Sequence, residues 1–406
     1  MLGAKIIMSK KCRFLVLALA ISSILTVNGC SKSLDNTVEK SATVSTNNGE
    51  EEIVNNVINV DNAEEIVAPG YEDVDSYLYE ESEIKGFQGV ALIAEGDEIK
   101  FAKAYGYADA DEGIKNTLET RFAIASNTKQ FTAAAIMKLF EEGKLNIDDT
   151  IDKYFPKFQY GSKITIRELL QMRSGLVDYL NEPQLYFKDE ESLKILDEYK
   201  DKAYFDEYVS DPRWNATIIL NNLYLNELKF EPGQAYDYCN TNYYLLGLII
   251  EQASGMSYED YIQKNIFDVC HMENTSMTAD DSDAKGHGSA VSGEIVVNPK
   301  FTFAAGNIYS NVYDLLKWKR MLQNGNIVSE ESYNQMITPV DDSDYGFGLI
   351  VRDGTIRHSG VIDGFNSYTE YDPNKDITII LLENCDATTA VLDAKYDGAI
   401  IRSLIN

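Results

Sequence analysis

Apolar and polar positions change rhythm three times along this chain. Two short β-prone runs, Gly89 to Ala94 and Ile99 to Tyr105, flank Glu95-Gly96-Asp97, which predicts a hairpin. From Asn127 to about Gly143 the residues favour helix, and Ser126 stands where a side chain can accept a backbone N–H. No charge falls between Lys129 and Lys138, so the first turns of this helix are expected to be buried. Thr165-Ile166-Arg167-Glu168 has the form of a capping box for a short helix that stops at Ser174-Gly175. Residues 181–228 are acidic and aromatic at helical spacing. A turn at Phe230-Glu231-Pro232-Gly233 precedes an apolar helix over Thr241 to Ser254, and Ser257 with Asp260 starts another. After about Val296 strands return: Tyr345 to Val351, Thr355 to His358, Ser367 to Tyr371 and Ile377 to Leu382. Strands early, helices in the middle and strands late predict an α/β (α+β) lobe split by a helical insertion over roughly 130–295.

The N-terminus follows a different logic. Lys5, Lys10, Lys11 and Arg13 precede the apolar run FLVLALAISSILTV, which leads to Val27-Asn28-Gly29-Cys30. A basic start, an apolar core and small residues before the cut predict a secretory signal peptide over 1–29. The small residue before Cys30 resembles a bacterial lipobox, so Cys30 is expected to be acylated and to begin the mature chain. A plain N-terminal anchor is the alternative, although the run is too short to span comfortably. Residues 30–70, rich in Ser, Thr, Asn and Glu, read as a flexible tether, and the globular part as 71–406, opening on Val74, Tyr77 and Leu78. The protein is therefore expected to work outside the cytoplasm, held to the membrane by lipid.

Charge removes several classes of partner. The net charge is −29, and loss of a leader with four positive side chains makes the mature chain more acidic still. That argues against nucleic acid and anionic lipid surfaces. Of the five cysteines, Cys239, Cys270 and Cys385 remain after Cys12 is cleaved and Cys30 lipidated. They contain no C-x-x-C, and His271, His287 and His358 lack ligand spacing, so no disulfide framework, metal or cofactor is expected. A monomer is expected.

Ser126 and Lys129 carry the candidate chemistry. Three residues apart, they place hydroxyl and amine one helical turn from each other on one face. Burial and the positive end of the helix dipole both favour the neutral amine, a base for the hydroxyl. S-x-x-K also occurs at Ser82/Lys85, among acidic residues, and at Ser282/Lys285, in an Asp-rich loop. Only the middle copy opens an uncharged helix, and on pattern alone it is as much a capped core helix as a nucleophile.

Two more motifs tilt that balance: Tyr238-Cys239-Asn240 before the apolar helix, and His358-Ser359-Gly360 ending a strand. With S-x-x-K, and with phrases such as ITIRELLQMRSGLVDY and FEPGQAYDYCNTNYYLLGLIIEQASG in order over roughly 87–383, the chain resembles the serine β-lactamase and penicillin-binding family. Class C β-lactamases, DD-peptidases and their esterase relatives are the nearest in kind, which implies an acyl-enzyme hydrolase acting on small-molecule or cell-wall D-alanyl peptides or esters, with a small-ester hydrolase and a poorly turning-over binding or sensor module as the alternatives. The resemblance implies an antiparallel sheet flanked by helices plus an inserted all-helical lobe. It implies Ser126 as acylated nucleophile, Lys129 and Tyr238 as proton carriers with the phenol's pKa lowered by nearby cations, and Asn240 holding substrate amide or Lys129. It also implies an oxyanion hole from the N–H groups of Ser126 and Val361, with His358, Ser359 and Gly360 lining the substrate strand. Where class C enzymes carry K-T-G this chain has a histidine, charged only below its own pKa near 6.5. That demotes β-lactam resistance and predicts a bell-shaped pH profile for anionic substrates. Met172, where relatives often have histidine, is expected to affect packing only, and the pocket walls are expected from residues 181–228.

Overall fold

The computed structural model describes residues 64–200, 205–286, 297–362, 364–385 and 394–405. The expected signal peptide, Cys30 and most of the tether lie outside the described residues, as does His287. In chain order the elements that frame the site are β1 (Ile66–Val67), α1 (Glu72–Glu80), β2 (Gly89–Glu95), β3 (Glu98–Tyr105), α2 (Thr128–Glu141), α3 (Asn240–Ser254), α4 (Val312–Gln323), β4 (Ile350–Arg352), β5 (Thr355–Ile362), β6 (Phe365–Asp372), β7 (Ile377–Glu383) and α5 (Ala394–Leu404).

The seven strands form one antiparallel sheet in the order β1-β3-β2-β7-β6-β5-β4. β2 shows why its sequence is an apolar run instead of an alternation: both faces are covered. Val90, Leu92 and Ala94 face the core built around α2, while Ala91 and Ile93 face Val74 and Leu78 of α1 and Ile401 of α5. β1 pairs Ile66 with Ala102 and Val67 with Phe101, so ordered pairing begins inside the stretch expected to be tether.

Between β3 and β4 the chain supplies the helical region. Of the 14 residues of α2, the 11 from Thr128 to Met137 and Leu139 are buried, which explains its lack of charge. The capping box forms as expected: Glu168 N–H donates to Thr165 Oγ1 (3.2 Å) and Thr165 N–H to Glu168 Oε2 (2.7 Å). Residues 181–228 contribute the short helices Pro183–Tyr186, Glu190–Tyr199 and Ala216–Leu223. Their aromatics turn inward: Phe187 stacks on Trp214 at 4.6 Å, and Trp214 lies 4.9 Å from Phe301. The strand expected over Tyr345 to Val351 is shortened to β4. Gly348, at φ +68, turns the chain where a Cβ would meet the Lys129 carbonyl oxygen at 2.5 Å.

Candidate active site

Ser126 does not cap α2. It sits in a 3-10 turn, Ala125–Asn127, whose first residue has a left-handed backbone, φ +46, uncommon for alanine. Asn127 occupies the cap position without a side-chain cap bond. The turn is fastened to β6 instead: Ser367 Oγ donates to the Ile124 carbonyl (2.7 Å), and Asn127 Nδ2 donates to Ser367 Oγ (2.8 Å). The Ser126 hydroxyl is thereby free of the helix, half-buried, and aimed at two other side chains.

Lys129 Nζ donates to Ser126 Oγ (2.9 Å), Asn240 Oδ1 (2.9 Å) and the Ala305 carbonyl (2.8 Å). Burial lowers its pKa from 10.5 to about 7, against the opposing pull of Asp178. Three acceptors suit the ammonium form. Once neutral, the amine keeps Asn240 and Ala305 as acceptors and turns its lone pair to the Ser126 hydroxyl. Tyr238 Oη donates to the same Ser126 Oγ at 2.8 Å, and the Lys129 amine lies 5.0 Å from the Tyr238 ring centre. The phenol's pKa is pushed up by burial of its hydroxyl end, well above the usual 10, although the ring is half-exposed. This corrects the expectation of a lowered tyrosine: desolvation outweighs the hydrogen bond to Ser126, so Tyr238 stands as a neutral donor.

Asp178 was not singled out from the sequence, and it orients the group beside Lys129. Its carboxylate accepts from the Asn240 backbone N–H (3.1 Å) and from Asn240 Nδ2 (3.0 Å). That leaves Asn240 Oδ1 to face Lys129 and fixes the amide's sense. Met172 does more than pack. Its sulfur accepts from Cys239 N–H at 3.4 Å and Asn242 Nδ2 at 3.5 Å, and its own backbone is left-handed at φ +59.

β5 forms the facing wall. Gly360 is there for clearance: a Cβ would stand 2.8 Å from Ser126 N and 2.3 Å from the Ile124 carbonyl. His358 and Gly360 pair with Thr369 and Ser367, whose hydroxyls meet the Ser126 turn, so these two face the site. Ser359 and Val361 alternate onto the other face, and Val361 is 64% exposed; what they offer the site is backbone. His358 is buried, and burial lowers its pKa to about 3, with Lys129 a further repelling charge. Its Nδ1 lies 2.7 Å from the Ser359 carbonyl, which can only accept, so the neutral ring carries its proton there. Nε2 then accepts from Tyr345 Oη at 3.2 Å. The charged histidine expected near pH 6.5 is therefore corrected to a neutral one.

A cavity of about 220 Å³ lies beside the turn, lined in part by Ala123, Met277, Gly306, Asn307, Ile362 and Phe365. Among its described lining residues none comes from 181–228, whose aromatics pack on Phe301. A larger groove of about 1090 Å³, between Arg167 and Asn334, contains none of the residues around Ser126.

The site and sheet define a class, a serine hydrolase of β-lactamase/transpeptidase-like fold, and comparison with known proteins agrees. The beta-lactamase family profile matches residues 74–400, and the chain belongs to that family. It is 30% identical over 306 residues to the putative penicillin-binding protein PbpX of Bacillus subtilis, covering 74% of this chain and 71% of that one. It is 31% identical over 349 residues to penicillin-binding protein 4* of the same organism, with 78% and 71% covered. Among solved structures, a penicillin-binding protein from Bacillus halodurans superposes with a TM-score of 0.67 at 26% identity, over 81% of this chain and 99% of that one. An octameric penicillin-binding protein homologue from Pyrococcus abyssi gives 0.67 at 28% identity, over 82% and 77%. The protein is a serine hydrolase of this fold.

Proposed function

We propose that this chain is a membrane-tethered, cell-surface hydrolase that works as a monomer through an acyl-enzyme on Ser126, with D-alanyl peptides or esters as substrates. The observation that carries the reading is the double hydrogen bond to Ser126 Oγ, from Lys129 Nζ at 2.9 Å and Tyr238 Oη at 2.8 Å. In the attack step Ser126 gives its proton to neutral Lys129 as Oγ bonds the carbonyl carbon. The developing oxyanion accepts the N–H groups of Ser126 and Val361. As the carbon–oxygen or carbon–nitrogen bond breaks, the leaving group takes the Tyr238 proton, which Lys129 restores. Water then reverses the sequence to release the acid.

One observation favours uncharged esters over peptides ending in a carboxylate: His358 is neutral, so the position that holds lysine in class C enzymes supplies no cation here. The test is peptide mapping after exposure to a reporter β-lactam. An adduct on Ser126 that is lost in Ser126→Ala supports the penicillin-binding reading. No adduct alongside brisk Ser126-dependent ester hydrolysis favours the esterase, and an adduct on any other residue overturns both. Tethering is tested separately by the mass of the membrane-bound protein, which should begin at an acylated Cys30.

A further inference from the structure

The groove of about 1090 Å³ runs between residues 165–173 on one side and residues 330–347 on the other. Backbone bonds fasten its floor: Arg173 N–H donates to the Glu168 carbonyl at 2.8 Å, and Gly233 N–H to the Arg173 carbonyl at 2.9 Å. Two polar side chains of that floor are more than nine-tenths buried, Gln171 at 7% exposed and Arg173 at 8%. The Gln171 carboxamide has no hydrogen-bond partner among the described residues. Arg173 bonds through Nη2 alone, to the Gly233 carbonyl and to Asp341, which leaves Nε and Nη1 without partners among those residues. Buried polar groups are nearly always paired, so an amide and a guanidinium left open on one groove floor call for a ligand that pairs them. Peptide units do so: a carbonyl accepts from Arg173, and an amide matches both the oxygen and the NH₂ of Gln171.

Charge chooses among peptides. Both guanidiniums of the groove are already engaged, Arg167 by Asp148 at 2.6 Å and Arg173 by Asp341 at 3.0 Å. Glu330 and Glu331 stand exposed on the opposite wall and make no ion pair among the described residues. The unspent charge is therefore negative, in a chain whose net charge is −29. The volume is at the upper end of that of ligand pockets, enough for several residues of extended chain. We infer that this groove is a second binding site, which takes a peptide segment bearing a lysine or arginine, its backbone held by Gln171 and Arg173 and its cation by Glu330 and Glu331. The site is separate from Ser126 and does not depend on the acyl-enzyme reading.

The experiment titrates the full chain by calorimetry with two blocked tripeptides, acetyl-Ala-Lys-Ala-amide and acetyl-Ala-Glu-Ala-amide. The lysine peptide should bind about tenfold tighter or more, since the acidic wall attracts one side chain and repels the other. Ser126→Ala should bind it as wild type does. Glu330→Gln/Glu331→Gln, on the exposed wall, should cut the preference to below about threefold. Glu190→Gln/Glu191→Gln, an exposed acidic pair on another helix, should leave it intact, which separates the groove from the general field of an acidic chain. Gln171→Leu should weaken the lysine peptide by about tenfold, the loss of one hydrogen-bonding amide. Should that variant not fold, the two exposed pairs still decide. No saturable binding of the lysine peptide, a preference for the glutamate peptide, a preference that survives Glu330→Gln/Glu331→Gln, or an equal loss in both acidic-pair variants overturns the inference.

Discussion

Lys129 and Lys319 are both buried, both lowered from 10.5 to about 7 chiefly by desolvation, and put to different uses. Lys129 faces a half-buried hydroxyl at the edge of a cavity. Lys319, on α4, is bonded to an amide: its Nζ donates to Gln130 Oε1 at 2.9 Å, with the Glu370 carboxylate pulling on it from further off. Gln130 Nε2 in turn donates to Asn127 Oδ1 at 2.6 Å, beside Ser126. Burial alone thus makes a neutral amine available in two places, and the group it meets decides between base and anchor. Holding each amine dry costs roughly 4–5 kcal/mol at neutral pH relative to a solvated lysine. One such cost supports the chemistry, the other the turn that presents it.

That contrast can be broken by exchanging each amine for a thioether. Lys129→Met should lower kcat/KM for an activated ester by roughly two to four orders of magnitude, the range for loss of a general base; a loss under tenfold in steady-state kinetics would deny it that role. Tyr238→Phe removes the donor to Ser126 Oγ and should cost about a hundredfold, expressed in kcat and larger for poor leaving groups. An effect independent of the leaving group would remove the phenol from proton transfer.

Lys319→Met should behave differently, as a stability variant. The folded chain binds fewer protons than the unfolded one between about pH 7 and 10.5, so wild-type stability rises with pH through that window and is lower below it. The methionine variant should therefore be more stable by about 1–3 kcal/mol at pH 7, after allowing for the unpaired Gln130 oxygen, with the gain fading towards pH 10.5. Urea unfolding at pH 7 and pH 10 measures this directly, and a variant less stable at both would contradict it. Smaller again is Asp178→Asn. With one carboxylate oxygen replaced by an NH₂, a single acceptor must serve the backbone N–H groups and the amide that two oxygens served, so the hold on Asn240 weakens and turnover should fall about tenfold with KM little changed.

The sheet and the long helices were legible because their burial is written as runs of apolar residues, from Gly89–Glu95 to Ile377–Glu383. The placement of Ser126, Lys129, Tyr238 and Asn240 in one cluster follows the motifs that the sequence displays. What the sequence hid was of three kinds. Backbone groups such as Ala305 O carry no residue signature. Asp178 is one acidic residue among 65 Asp and Glu, 62 positions from the amide that it orients. Protonation also depends on surroundings: nothing in VYDLLKWKRMLQ marks Lys319 as the lysine that Gln130 meets in the core, and His358 reads as a titrating residue until Tyr345 closes over it. The short strand Ile66–Val67 escaped notice because two residues make no periodic pattern.

The central claim is that a neutral Lys129 activates Ser126 near neutral pH. The most direct test is the pH dependence of Ser126 acylation by an uncharged activated ester under single-turnover conditions, in wild type and in Lys319→Met. The account predicts one ionisation, with the rate rising through about pH 7, the same limb in both proteins, and no falling limb near 6.5 from His358. A limb at pH 9–10, as for a solvated lysine, or one that vanishes in Lys319→Met, would contradict it.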